Sequence, residues 1–282
     1  MQTSPQNNPL GVNGIEYVEY ASSEPIAFGA ALETLGFQAV ARHRSREIVH
    51  FRAGGMNIIV NSHAAHQSGI EGTELIAFAL RVRDAASAYS YCVDRGAWPI
   101  DAHAGAMELN IPGIAGVGNS TIYFVDRYDE FQIYDVDFKP IPGVNRNNTA
   151  VEGMHFFGVV QTIGADRAQE WSDFYRELLD FRILPEGEYF GVLPKGVLLE
   201  SPCERFYLQL VQPPESTADI DWSERLTRVG FGAVDIPALV SALSERGVRF
   251  VEATHVHTSE RGAVCYLGGT SFEFVRSHLG GA

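Results

Sequence analysis

Four polar side chains stand in apolar strand-like runs of this 282-residue chain, and each limits the chemistry available to it. His155, in GMHFFGVV, offers an imidazole that can ligate a metal or sit hydrogen-bonded in a core. Strand alternation puts Phe157 and Val159 beside it, and turns Met154 and Phe156 against a helix. Glu273, in GGTSFEFVR, lies between Phe272 and Phe274, which point the opposite way. A carboxylate there needs a metal or a cation as partner, because burying it alone is costly. Arg228, in RVGFGAVDI, lies on the strand that would face it. A guanidinium stays protonated and has no lone pair to offer a metal. Arg228 is therefore either the ion-pair partner of Glu273 or an anchor for a substrate carboxylate. Gly230 and Gly232 follow on the same face and leave room around it. Gln209, in RFYLQLVQ, is a weak ligand as a neutral amide and is better suited to hydrogen-bond a bound molecule.

The remaining candidates are bland. His255 and His257 (THVHTSERG) belong near a hairpin among polar neighbours, which predicts solvent exposure. His43, His50, His63, His66 and His103 show no ligand spacing on paired strands, so the first half reads as structural. Cys92, Cys203 and Cys265 are scattered and odd in number, as expected of reduced thiols. Gly113, Gly116 and Gly118 do not form a strand–loop–helix phosphate site.

The elements that must position these residues repeat. ALRVRDAASAYSYCVDRGAWPI (79–100) and GAVDIPALVSALSERGVRFV (232–251) share one layout of strand, Asp, helix, Arg-Gly and strand. Asp is a good helix N-cap and Gly a good residue just past a helix C-terminus. An equivalent start lies at Ile15–Tyr20, with a helix over 25–35, and at His155–Val160, with a helix over 166–179. Short strands bounded by Gly and Pro follow each. The unit is βαβββ, predicted near 14–62, 76–138, 152–213 and 226–277. Each helix covers one sheet face, and two such units curl into an open cup. The fold class is α+β, with four modules paired into two open-barrel domains, 1–145 and 151–282. The polar, Pro- and Asn-rich Lys139–Ala150 joins them, and the active site is expected in the second.

The composition is that of an ordinary globular chain, 45% hydrophobic and 20% charged. A net charge of −14 disfavours nucleic acid and anionic membrane surfaces as partners. No apolar run reaches the length of a membrane span, and MQTSPQNNPLGVNG lacks the layout of a signal peptide, so a cytoplasmic location is expected.

NPLGVNGIEYVEYAS (8–22), LRVRDAASAY (80–89), GAMELNIPGIAGVG (105–118), IYFVDR (122–127) and IYDVDF (133–138) together resemble the first domain of 4-hydroxyphenylpyruvate dioxygenases. The second half is similar in layout. The resemblance covers the whole chain and implies the vicinal-oxygen-chelate, or glyoxalase-like, fold. In that family iron(II) is held in the second cup by two His and one Glu, a facial triad that leaves positions open for a 2-oxo acid and dioxygen. The first ligand position matches His155 and the third matches Glu273, while the second falls on Arg228. Met154 stands where the family carries Asp, and Gln209 and Val211 where it carries Pro-x-Asn. The family also adds a C-terminal gating helix, whereas this sequence ends at SHLGGA. The resemblance implies a dioxygenase-like oxidoreductase binding a small carboxylate of the 2-oxo acid type, with Fe(II) on His155 and Glu273 and substrate at Arg228 and Gln209. A metal-free binding or accessory protein and a metal-dependent isomerase or lyase are the alternatives, and a homo-oligomer is compatible with each.

Overall fold

The computed structural model describes residues 7–100, 108–185, 187, 190–193, 196–213 and 223–277. The first half builds β1 (Ile15–Ser22), α1 (Pro25–Thr34), β2 (Gln38–His43), β3 (Ile48–Ala53), β4 (Met56–Asn61), α2 (Ser62–Ser68), β5 (Thr73–Arg81), α3 (Ala85–Val93), β6 (Gly113–Ala115), β7 (Thr121–Val125), α4 (Tyr134–Asp137) and β8 (Phe138–Pro140). The second builds β9 (His155–Thr162), α5 (Ala168–Leu179), β10 (Arg182–Ile183), β11 (Val197–Glu200), β12 (Tyr207–Val211), β13 (Arg225–Ala233), α6 (Ile236–Glu245), β14 (Gly262–Leu267) and β15 (Thr270–Arg276). The fold is α+β, and the four βαβββ modules pair within each half.

One sheet runs β6-β7-β5-β1-β4-β3-β2-β8 and the other β10-β11-β12-β9-β13-β15-β14. In each, the first strands of two modules pair antiparallel at the centre, β1 with β5 and β9 with β13. The predicted punctuation is present. Asp84 accepts from the Ser87 amide at 2.6 Å and Asp235 from the Ala238 amide at 2.9 Å, starting α3 and α6. Gly96 and Gly247 take positive φ just past those helices, where a Cβ would be strained.

Three features depart from the expected unit. In the second and fourth modules the strand after the helix shrinks to single bridges, Pro99–Ile114 and Phe250–Cys265. A proline there has no N–H to extend a ladder. β8 leaves the second module and closes the edge of the first by pairing with β2. The short helix α2 was not expected; Asn61 caps it by accepting from the Ala64 amide, and Gly69 ends it in the left-handed region.

The helices lie on the backs of the sheets, and their apolar faces merge into one core. It takes Phe28 and Leu32 from α1, Cys92 from α3, Leu179 from α5 and Leu243 from α6, with residues of both sheets. Phe37 packs on Phe231 at 5.8 Å and Tyr20 on Phe272 at 6.2 Å, joining the halves. Among the described residues no helix is long and apolar enough to cross a membrane.

Candidate functional site

The sheet face turned away from the helices lines each cup. In the second cup, β13 presents Arg228, Gly230 and Gly232, and β15 presents Ser271, Glu273 and Val275 in register with them. Arg228 Nη1 stands 3.7 Å from Glu273 Oε2, and its Nε donates to Ser271 Oγ at 3.2 Å. Glu273 is 2% exposed. Phe190 lines the same void as Glu273, lying against Phe157 at 5.2 Å and Tyr207 at 4.7 Å between ring centres. Gly191, beside it, sits so close that a Cβ there would come within 2.2 Å of Glu273 Oε1. The void left between Phe157, Phe190, Tyr207, Gln209 and Glu273 is about 20 Å³, room for about one water. Gln209 is buried at the wall of this void, on β12 beside Val160 of β9.

His155 lies elsewhere. Its register partner is Gly232, one inward-facing position beyond Gly230, the partner of Glu273. The ring packs on Gly232, where a Cβ would fall 2.5 Å from Nε2. With its proton on Nδ1 the imidazole donates to the Gly153 carbonyl at 3.3 Å, and Nε2 accepts from Ser277 Oγ at 3.1 Å. Burial holds its pKa below the ordinary histidine value, which favours this neutral form. His155 faces the cleft between the halves, alongside Gly54, Asn148 and Met154. The structure thus brings together Arg228, Glu273 and Gln209 but not His155. Among the described residues no group of three or more His, Cys, Asp or Glu could hold a metal.

The strand phase differs from simple alternation. The ladder between β9 and β13 is irregular between the pairs Gly158–Gly230 and Phe156–Phe231, which places a bulge at Phe157. Val159 therefore turns into the helix-side core, and Val160 takes the inward place expected of it.

The first cup, read from sequence as structural, encloses far more space. A cavity of about 420 Å³ opens on its inner face, lined by Tyr17 and Glu19 of β1, Ile59 and Asn61 of β4, Tyr123 of β7 and Ile111. Glu19 is 9% exposed and accepts from Asn61 Nδ2 at 2.7 Å. Burial raises its pKa above the usual carboxylate value. Beneath lies a buried polar chain: His50 Nε2 donates to Asn57 Oδ1 at 2.8 Å, Asn57 Nδ2 donates to the Glu16 carbonyl at 3.0 Å, and Arg81 Nε donates to Glu16 Oε2 at 2.6 Å. Burial pushes the His50 pKa down to about 3. Sequence reasoning missed Glu19 and Asn61, although the signal was present. IEYVEYAS carries two carboxylates in a strand whose every residue is buried. His255 and His257 are exposed, as expected, and His103 lies outside the described residues.

Comparison with known proteins completes the picture. A family model described as "Hydroxyphenylpyruvate dioxygenase, HPPD, N-terminal" matches residues 6–139. The 4-hydroxyphenylpyruvate dioxygenase of Pseudomonas aeruginosa is 30% identical over 265 residues, covering 87% of this chain and 73% of that protein. A 3-dehydroshikimate dehydratase of the same species is 30% identical over 259 residues, which span 85% of this chain but 40% of that protein. Among solved structures, a xylose isomerase-like TIM barrel/4-hydroxyphenylpyruvate dioxygenase fusion protein superposes with a TM-score of 0.74 at 24% identity, over 99% of this chain and 51% of that one. A relative 30% identical and matched across 73% of its length, with the family's own model over residues 6–139, shows the membership: this chain belongs to the 4-hydroxyphenylpyruvate dioxygenase family.

Proposed function

We propose that this chain is a metal-independent small-molecule-binding member of its family rather than a working iron dioxygenase. The carrying observation is Arg228 at the second ligand position, 3.7 Å from Glu273. A guanidinium cannot donate a lone pair, repels a divalent cation, and already engages the one carboxylate of the set. The nitrogen lone pair that His155 would offer is taken by Ser277. These residues do not fit a facial triad of two imidazoles and a carboxylate. The same donor set argues equally against a metal-dependent isomerase or lyase in this cup. Elemental analysis of protein purified without chelators, with oxygen uptake on 4-hydroxyphenylpyruvate and added iron(II), tests the reading. We expect well under one equivalent of metal and no turnover approaching the roughly ten per second of a median enzyme. One equivalent of tightly held iron with steady oxygen uptake overturns it.

A second reading concerns the ligand class of this cup. Arg228 and Glu273 stand beyond direct hydrogen-bond reach, and among the described residues the guanidinium donates one hydrogen bond, to Ser271. A small carboxylate of the 2-oxo acid type would take the fork that Glu273 leaves incompletely used. Calorimetric binding of 4-hydroxyphenylpyruvate that disappears in Arg228→Met, with the fold intact by circular dichroism, supports this anchor. Binding unchanged by that substitution refutes it.

A further inference from the structure

We propose that the first cup is a binding site for a small organic cation, an amine carried on an apolar body of aromatic size, with its ammonium group on Glu19. The inference goes beyond the reading of the second cup and is independent of it.

Space is the first argument. The cavity of about 420 Å³ falls within the range of small-molecule sites, roughly 300–1,000 Å³, whereas the second cup leaves about 20 Å³. Charge is the second. Among the described residues the Glu19 side chain has one hydrogen-bond partner, the neutral Asn61 amide, at 2.7 Å. The arginine that lines the cavity, Arg46, is committed to Glu108, and two others of this half are paired as well, Arg81 with Glu16 at 2.6 Å and Arg44 with Asp137 at 3.0 Å. A carboxylate nine-tenths buried against a neutral amide is held at a cost that an incoming cation removes. A protonated amine supplies the missing charge and a charge-assisted hydrogen bond of roughly twice the ordinary strength.

The walls choose the rest of the ligand. Tyr17 and Tyr123 stand with ring centres 6.1 Å apart, and Ile59 and Ile111 add apolar wall beside Glu19, while His43, Arg46, His63 and Glu108 also line the cavity. Aromatic faces attract an ammonium as well as a flat hydrocarbon body. An anion of the same shape would meet Glu19 without a free counter-charge, since the Arg46 guanidinium of the lining is paired with Glu108, and be rejected. The cup therefore selects by sign as well as by size.

Phenethylamine is a suitable probe, with 2-phenylethanol and phenylacetate as neutral and anionic matches of the same body. Titration calorimetry on the full chain is expected to give one site for phenethylamine, with Kd below about 1 mM. The alcohol should bind at least about tenfold more weakly and the acid not at all. Glu19→Gln should weaken the amine by about tenfold or more and leave the alcohol unchanged. In the wild-type protein, NMR shifts on adding phenethylamine should centre on the Asn61 side-chain amide and the Tyr17 and Tyr123 rings, so the assignment stands even if the variant fails to fold. Equal binding of amine and alcohol, no binding of the amine, or shifts centred elsewhere overturns the proposal.

Discussion

Arg228 and His50 are residues at which one charge decides the local chemistry, and each makes a measurable demand. Arg228→His removes a fixed cation and supplies an imidazole opposite Glu273. Zinc(II) or cobalt(II) affinity, measured calorimetrically on folded protein, should rise by about tenfold or more, roughly 1.4 kcal/mol. Adding Glu273→Ala should cancel the gain, since both act on one ion. Adding His155→Ala should leave it, because that ring is turned to Ser277; a lost gain would return His155 to the metal. His50 is neutral in the fold because burial holds its pKa down at about 3, while an unfolded chain takes the proton at the ordinary histidine value of 6.5. Acidifying through that window favours unfolding, by up to about 1.4 kcal/mol per pH unit. Glu16 and Glu19 are shifted upward by burial and act in the opposite sense nearer their own range. Urea unfolding of wild type and His50→Gln between pH 6.5 and 5 isolates the histidine. The wild type should lose stability more steeply, and parallel curves would falsify the assignment.

At the scale of elements, the bulge at Phe157 depends on Gly158, because a Cβ at that position would lie 2.3 Å from the Tyr207 carbonyl oxygen on β12. Gly158→Ala must push β9 and β12 apart, with an expected loss of about 1–3 kcal/mol in denaturant unfolding. No loss would mean that the strands separate without strain. Such backbone events are what sequence periodicity reads least well. The repeat was legible because each module spells its punctuation locally, as at Asp84, Gly96, Asp235 and Gly247. Helix α2 was legible in principle, with Asn61 and Gly69 at its ends, but its seven residues carry too little periodicity to announce a helix. The inward place of Val160 was not legible, since a bulge depends on what the neighbouring strand allows. The same holds for the site. Types at Arg228 and Glu273 offered their pairing as one of two readings, whereas the turn of His155 toward Ser277 and the roomier first cup depend on packing across strands far apart in sequence.

For the molecule as a whole, the division into 1–145 and 151–282 becomes a question of cohesion. The joining stretch is anchored at both ends: β8 pairs with β2, and the Gly54 amide donates to the Asn148 carbonyl at 3.0 Å. Limited proteolysis should therefore cut first within residues 142–147. The halves should stay together after the cut, because the core is continuous and polar ties cross it. Arg246 donates to the Glu33 and Thr34 carbonyls at 2.9 and 3.0 Å, and the Asn8 amide donates to Asp180 at 2.7 Å. Two bands on a denaturing gel with one peak on size exclusion is the expected result. Two peaks of folded fragments would show that the halves are separable.

That shared core has a consequence during synthesis. When the ribosome has finished β8, the first sheet is complete in hydrogen bonding, yet Phe28, Leu32, Phe37 and Cys92 still lack the partners that the later half brings. At about 5–20 residues per second, the remaining stretch to β15 takes on the order of ten seconds to emerge. Throughout that interval, long compared with the collapse of such a chain, the nascent chain presents an aromatic face to solvent. A holdase that binds apolar surface has its natural client in this half-made protein, and a pause in translation downstream of β8 lengthens its exposure. The finished molecule shows no trace of the hazard, because the strand that opens the second half, β9, brings Phe156 to the ring of Phe231, the same ring that covers Phe37.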